Sequence, residues 1–303
     1  MAVSTLTKTQ KDGRWHVLGA GSVGSLFAAY LQRAGAGVTL LPRQSADQGK
    51  RIIDNGPARG QYTFDRSAPC DQQPIELLLV TTKAYDVTEA LQSVKHRLQH
   101  DCAIVLLVNG MGLQAELATV NLPGKLYIAT TTEGAYRESG GRLTHAGTGS
   151  TRVGRQGEAP PGWFTLWQEA ITDCHWDTDI ESALWLKLAI NCAINPLTAL
   201  HNCYNGELGE APALRAKVSE LCAEIATVAR AAGYDQLANG LEDQVFAVIR
   251  GTANNRSSML QDLRAGRRTE IDYLTGYLVR LADELDIPVP MNLELLREIK
   301  AHD

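Results

Sequence analysis

One lysine and two asparagines stand four residues apart in an apolar stretch: Lys187, Asn191 and Asn195. In a helix, this spacing brings the three polar groups onto one face. A ketone that accepts hydride develops negative charge on its oxygen and needs a proton, and a lysine ammonium meets both needs. Amides beside it can donate to a carboxylate and accept from a hydroxyl. These residue types at this spacing would suit the reduction of a small polar keto acid, with Lys187 as general acid.

Each of these residues also has a simpler interpretation. Lys187 could lie along its helix with the ammonium in solvent. No acidic residue lies three or four positions from it, so an exposed ion pair on the helix is not indicated. Asn191 and Asn195 could instead cap a helix that ends before Pro196, because asparagine is favoured at helix ends.

A glycine fingerprint separates the first apolar run from the first helical pattern. In that context, glycines permit a tight turn, let the backbone approach a diphosphate and allow close helix packing. The N-terminus of the following helix favours an anion. The sequence therefore predicts a dinucleotide-binding loop made of Gly19, Ala20, Gly21, Ser22, Val23 and Gly24.

The end of the second predicted strand indicates which nicotinamide cofactor binds. Enzymes that use NAD place an acid there, about 20 residues after the glycines. Here Arg43 follows the strand and no acid precedes Asp47. An arginine can pair with a 2′-phosphate, so NADPH is the expected cofactor. Pro42 restricts the backbone beside Arg43, and the alternative is that Arg43 is a solvated loop residue.

Two further strand ends carry polar residues, Lys83 and Asn109. Ligands of open α/β sheets bind at the carboxyl ends of strands, so both residues are candidates for the cofactor site and Asn109 also for the substrate. Asn109 and Gly110 could equally form an ordinary turn.

The first half of the chain alternates short apolar runs with amphipathic stretches, which is typical of a parallel sheet with crossover helices. Strands are predicted at residues 15–18, 38–41, 77–80, 104–108 and 126–129, with antiparallel additions to the sheet's end at 135–137, 142–145 and 151–153. Helices are predicted at 213–232, around 241–248, at 271–285 and after 290. The expected fold class is α/β, with a Rossmann-type dinucleotide-binding domain at 1–178 and an all-α domain at 179–303.

Composition limits the classes of function. The net charge of −5 is spread without a basic block, so nucleic acid and anionic membranes are not expected as partners. No cysteine or histidine grouping has zinc spacing, so no metal site is expected. Residues 1–13 resemble a disordered leader rather than a secretion signal, and a cytoplasmic location is expected. A homodimer is compatible with the sequence.

Several segments resemble the ketopantoate reductase (2-dehydropantoate 2-reductase) family over nearly the whole chain. They are LLLVTTKA at 77–84, NGMG at 109–112, LWLKLAINCAINPLTA at 184–199, SSMLQD at 257–262 and TEID at 269–272. The resemblance implies NADPH-dependent reduction of 2-dehydropantoate to pantoate, toward pantothenate and coenzyme A. It also implies an active site in a cleft between two domains, with Lys187 at its centre.

The same resemblance implies further roles. The Ser258 position holds the substrate carboxylate, and the Glu270 position contacts the substrate hydroxyl and sets the polarity of the site. Asn191, Asn195, Asn205 and Asn255 line the substrate pocket. A carboxylate near Lys187 would favour the charged lysine.

Two of these residues have structural alternatives. Ser258 and Gln261 match a capping box, and Glu270 could pair with Arg267 three residues earlier. The rival functions are reduction of another small 2-keto acid, or a sensor that binds NADPH without turnover.

Overall fold

The computed structural model describes residues 13–43, 47–138 and 142–303. The expected leader lies outside the described residues, apart from Gly13. Contacts divide the chain into two units. The sheet unit comprises Ala115–Ile180 and the described residues up to Val108, and the helical unit comprises Asn109–Gln114 and Glu181–Asp303.

The main sheet of the sheet unit confirms the predicted strands. The strands of this unit are β1 Trp15–Leu18, β2 Val38–Leu41, β3 Lys50–Ile53, β4 Gly60–Thr63, β5 Asp65–Arg66, β6 Ile75–Val80, β7 Leu98–Leu107, β8 Lys125–Thr131, β9 Gly134–Arg137, β10 Leu143–Gly147, β11 Thr151–Gly154 and β12 Cys174–Asp177. Eight of them form one sheet in the order β12-β11-β8-β7-β6-β1-β2-β5. From β5 to β8 every neighbouring pair is parallel. The residues of β1 and β2 are all buried, which suits their apolar runs because such strands are covered on both sheet faces.

The prediction for the glycine-rich segment after β8 is correct for one strand and wrong for two. As expected, β11 pairs antiparallel with β8, and β12 follows it as the edge strand of the main sheet. However, β9 and β10 belong to a second sheet, in the order β4-β3-β10-β9. Short strands carry little information about their partners. In addition, β3 was not predicted, because one of its two inward positions is the charged Arg51.

Helices complete both units. The sheet unit contains α1 Ser22–Arg33, α2 Val87–Val94 and α4 Phe164–Ala170, and α3 Leu113–Ala118 spans the point where the chain returns to it. The helical unit contains α5 Ile180–His201, α6 Glu207–Glu210, α7 Pro212–Ala231, α8 Asp235–Asn239, α9 Leu241–Gly251, α10 Ser258–Arg264, α11 Thr275–Glu284 and α12 Pro290–Lys300. The predicted fold class, a Rossmann-type unit followed by a helical one, is confirmed.

The helix predicted at 271–285 is interrupted. Ile271–Tyr273 forms a 3₁₀ turn, and Leu274, with φ −103° and ψ −100°, separates it from α11. Ile271, Leu274 and Leu278 are nevertheless all buried. Their spacing therefore records one apolar face correctly, but it cannot reveal a change of backbone conformation within that face.

One described helix, α5, is long and apolar enough to cross a membrane by length and composition alone. Of its most apolar window, 67% is buried inside the protein, which is typical of a core helix. Its apolar character is thus accounted for by packing within the fold.

The N-terminus of α12 is held by a carboxylate from α7. Glu224 accepts hydrogen bonds from the amides of Met291 and Asn292 at 2.9 and 3.0 Å, and from Asn292 Nδ2 at 2.8 Å. We expect Glu224→Ala to lower the free energy of unfolding by about 1–3 kcal/mol, because polar groups of the helix end lose their acceptor. Glu224→Gln keeps one acceptor oxygen and should lose less. Urea unfolding followed by tryptophan fluorescence measures both, and an unchanged midpoint in the alanine variant would contradict this role.

Candidate functional site

Two of the three glycines in the predicted loop, Gly19 and Gly24, are required by its geometry. Gly19 has φ +97°, and a Cβ there would lie 2.6 Å from the amide nitrogen of Thr82. A Cβ on Gly24 would lie 2.2 Å from the Gly19 oxygen, so only glycine lets α1 pack this closely. A Cβ on Gly21 would meet nothing within 4 Å. The loop thus has a tight turn, close helix packing and an open side, as a diphosphate-binding loop needs.

Hydrogen bonds fix the loop from the neighbouring strand end. Thr81 Oγ1 donates to the Gly19 oxygen at 2.6 Å, and the Thr81 amide donates to the Leu18 oxygen at 2.8 Å. No side chain caps the N-terminus of α1, and the first amides of a helix have no acceptor within it. These amides can hold a dinucleotide diphosphate, so the residues present fit the cofactor. Thr81 was not among the predicted site residues.

Arg43 lies beside the segment that follows β6. Its side chain is 78% exposed, and Nη1 is 3.3 Å from Asp86 Oδ2. The Asp86 amide donates to the Lys83 oxygen at 2.9 Å. The structure therefore brings Arg43 near the predicted Lys83 segment, with Asp86 next to both. Asp47, the first acid after β2, is occupied by an ion pair with Arg51 at 2.6 Å.

In the helical unit, α5 continues through Pro196 to His201. Lys187, Asn191 and Asn195 therefore all lie inside one helix at intervals of four residues, which places them along one face. The capping interpretation of the two asparagines is wrong, because neither is at a helix end. Asn195 is buried, and Asn191 is partly buried.

Lys187 and Glu270 are electrostatically coupled. Burial lowers the pKa of Lys187 from 10.5 to about 8, and the Glu270 carboxylate opposes this by raising it. Glu270 itself is only 6% exposed, and its Oε2 accepts a hydrogen bond from Asn109 Nδ2 at 3.4 Å. A solvent-facing lysine would not show this pKa. Three predicted residues, Lys187, Glu270 and Asn109, thus form one polar group in the helical unit.

The Asn109 segment has a turn conformation and also packs closely. Gly110 has φ +93°, and a Cβ there would lie 2.5 Å from the Tyr273 oxygen. That oxygen accepts from the Met111 amide at 2.9 Å. The turn interpretation of Asn109 and Gly110 is therefore compatible with a site role, because the turn packs against the 3₁₀ segment that follows Glu270.

Glu270 is also positioned from the end of the chain. Asp303 accepts from the Thr269 amide at 3.0 Å and from Thr269 Oγ1 at 2.9 Å. The alternative pairing of Glu270 with Arg267 is not what the structure shows, since Arg267 Nε bonds Asp262 at 3.0 Å. No local sequence pattern links Thr269 with Asp303, because the two residues are 34 positions apart in the chain.

Ser257, and not Ser258, caps α10. Ser257 Oγ accepts from the Leu260 amide at 3.1 Å and lies 2.7 Å from Thr198 Oγ1 on α5. The capping interpretation of Ser258 is therefore wrong by one residue. Ser258 is the first residue of the helix and is exposed. Thr198, which was not predicted, connects this turn to α5.

Asn205 and Asn255 are neighbours. The Asn205 amide donates to the Asn255 oxygen at 3.0 Å, and Asn205 Nδ2 donates to Thr252 Oγ1 at 2.9 Å. Within the described part of the chain, Asn205 Oδ1 is buried without a hydrogen-bond partner. This oxygen is suited to accept from a ligand hydroxyl, since a buried polar atom without a partner is unfavourable.

The chain is similar to known proteins in both sequence and structure. The family model of ketopantoate reductase PanE/ApbA matches residues 15–158, and the model of its C-terminal domain matches residues 179–303. The 2-dehydropantoate 2-reductase of Yersinia pestis is 38% identical over 291 residues, covering 94% of this chain and 93% of that protein.

Two solved structures are also similar to this chain. A probable 2-dehydropantoate 2-reductase from Bacillus subtilis is 28% identical with a TM-score of 0.78, covering 96% of this chain and 100% of that one. A dimeric ketopantoate reductase from Staphylococcus aureus is 19% identical with a TM-score of 0.81, covering 95% and 98% of the two chains. The latter similarity shows the fold alone.

Proposed function

The chain belongs to the ketopantoate reductase family, and on that basis we propose that it reduces 2-dehydropantoate to pantoate with NADPH, a step toward pantothenate and coenzyme A. The observation that carries this proposal is the placement of Lys187 beside the Glu270 carboxylate, where burial lowers the pKa of the lysine to about 8 and the carboxylate opposes this shift. A general acid works best when its pKa lies near the working pH.

Most of the residues proposed to hold the cofactor belong to the sheet unit. The loop Gly19–Ala20–Gly21–Ser22–Val23–Gly24 binds the diphosphate through the first amides of α1. Arg43 pairs with the 2′-phosphate, and Lys83 and Asn109 contact the cofactor at the strand ends. When bound, NADPH supplies hydride to the C2 ketone. Asp47 does not compete for the ribose, because Arg51 occupies its carboxylate.

Lys187 stabilises the negative charge on the ketone oxygen and donates the proton to it. The acid form is required for reduction, so kcat/KM should be constant at lower pH and fall as the pH rises through about 8. Glu270 keeps the lysine protonated and accepts from the substrate hydroxyl.

The substrate is a small keto acid with a carboxylate and a hydroxyl, and the helical unit offers groups for both. Ser258 binds the carboxylate. The pocket is lined by Asn109, Asn191, Asn195, Asn205 and Asn255. The buried Asn205 Oδ1 supports this assignment, because a substrate hydroxyl would supply the hydrogen bond that this oxygen lacks among the described residues.

A comparison of two substrates tests the proposal. Ketopantoate and α-ketoisovalerate differ by the hydroxymethyl group, and a site built to bond a hydroxyl rejects the analogue that lacks it. We expect kcat/KM for ketopantoate to exceed that for α-ketoisovalerate by at least about 100-fold. Similar kcat/KM values for the two compounds would indicate that the substrate is another small 2-keto acid. Tight NADPH binding without turnover of any keto acid would indicate a sensor.

We also propose a domain organisation, a cellular location and an oligomeric state for this protein. Residues 1–178 form the cofactor domain and residues 179–303 the substrate domain. The protein is cytoplasmic, with neither nucleic acid nor a membrane as partner. It forms a homodimer, as the Staphylococcus aureus reductase is described to do, and light scattering coupled to size-exclusion chromatography would measure the assembly mass.

A further inference from the structure

The carbonyl oxygen of Ala20, in the middle of the glycine loop, is approached by three donors. Arg137 Nη2 lies 3.1 Å from it, Ser25 Oγ 3.3 Å and Arg51 Nη2 3.5 Å. Arg51 comes from β3 and Arg137 from β9, the strands of the second sheet. Two guanidinium groups from a separate sheet therefore converge on one peptide of the phosphate-binding loop.

Arg51 is fixed in this position by a buried network. Its side chain is 5% exposed and bonds both carboxylate oxygens of Asp47, with Nη1 at 2.9 Å and Nη2 at 2.6 Å. Arg51 Nε donates to Ser25 Oγ at 2.8 Å, and Ser25 lies in the first turn of α1. A bidentate pair of this kind sets geometry as well as charge. Arg51 thus connects the second sheet to both the loop and its helix.

The charges around Ala20 do not balance. Two guanidinium groups face one carboxylate, and Asp47 is used by Arg51, which leaves one positive charge at the loop. Placing two like charges side by side is unfavourable unless a further negative charge is present. Of the two arginines, Arg137 is the exposed one. An anion bound at the adjacent N-terminus of α1 would supply the missing charge.

We propose that Arg137 is an electrostatic positioning residue for the cofactor diphosphate, held against the glycine loop through Ala20, with Arg51 and Asp47 fixing the loop's shape and its net charge. The inference rests on the proposed function, which places a dinucleotide at this loop. The second sheet then takes part in cofactor binding through Arg137.

Ligand binding to the whole protein tests this without turnover. For Arg137→Met, we expect the Kd of NADPH, measured by fluorescence titration, to rise about tenfold at low salt, which corresponds to 1.4 kcal/mol. The difference from wild type should shrink as salt is added, because screening weakens an exposed charge. Arg137→Lys should recover most of the affinity. Arg152→Met, which removes an exposed arginine of β11, is the matched control and should leave the Kd unchanged.

Asp47→Asn should change the Kd of NADPH in the opposite direction. The amide retains an acceptor for Arg51 but removes the compensating charge, so NADPH should bind roughly threefold more tightly. Damage to the loop's structure would weaken binding in both variants, so opposite shifts separate the electrostatic role from a merely structural one. Weaker binding by Asp47→Asn would overturn the proposal.

Two fragments of NADPH, which differ in their phosphate groups, show which phosphate Arg137 affects. Arg137→Met should weaken 2′,5′-ADP, which carries the 5′-phosphate, but not 2′-AMP, which lacks it, whereas Arg43→Met should weaken both. An unchanged Kd for NADPH in Arg137→Met, or an equal loss for the two fragments, would overturn the inference while leaving the proposed function intact. Failure of the wild-type protein to bind NADPH would overturn both.

Discussion

Lys187→Ala should lower kcat for keto-acid reduction by roughly 10³-fold, within the range that a positioned general acid contributes. The ammonium both offsets the charge on the ketone oxygen and supplies the proton, so its removal affects the transition state more than the bound substrate. The Kd of NADPH should stay within about twofold of wild type, since the residues proposed for the diphosphate belong to the glycine loop. Steady-state kinetics and fluorescence titration measure the two quantities.

The matched control is Lys217→Ala, which removes an exposed lysine from α7. It should retain wild-type kcat. Circular dichroism would verify that both variants fold. Unchanged turnover in Lys187→Ala, or a loss explained by failure to bind NADPH, would contradict the assignment of Lys187 as general acid.

The main elements of the fold could be predicted because their sequences repeat one physical signal. Buried parallel strands are apolar throughout, and α7 shows the spacing of a helix with one apolar face. The second sheet carries no such signal: β4 is polar and partly exposed, and β3 directs Arg51 inward. An inward arginine becomes favourable only through Asp47 and Ser25, and those contacts exist only in the folded chain.

The candidate site was predictable to the extent that it lies on one helix. The spacing of Lys187, Asn191 and Asn195 predicts a shared face, whichever fold surrounds it. The environment of Lys187 could not be predicted in this way, because Glu270 is 83 residues away along the chain and no local pattern links the two residues. The cap of α10 also shows this limit, since Ser257 and Ser258 are adjacent and identical in type. They differ only in the folded chain, where Ser257 is buried and bonds the Leu260 amide and Thr198.

Glu270→Gln should reduce kcat/KM for ketopantoate by roughly 10- to 100-fold, the loss expected when a hydrogen bond to a charged group is removed. It should also move the alkaline limb of the pH profile to lower pH. The carboxylate raises the pKa of Lys187 against the effect of burial, so its replacement by a neutral amide leaves burial unopposed and lowers that pKa further below about 8.

The pH profile distinguishes this coupling from a simple loss of substrate binding. If Glu270 only held the substrate hydroxyl, KM would rise while the alkaline limb stayed at the wild-type pH. If it also keeps Lys187 protonated, activity at mildly alkaline pH falls more than activity at neutral pH, and lowering the pH restores part of the lost rate. Glu298→Gln, an exposed carboxylate on α12, is the control and should change neither quantity. A reduced activity with an unshifted alkaline limb would refute the coupling, because replacing the carboxylate would then have had no effect on the ionisation of the lysine.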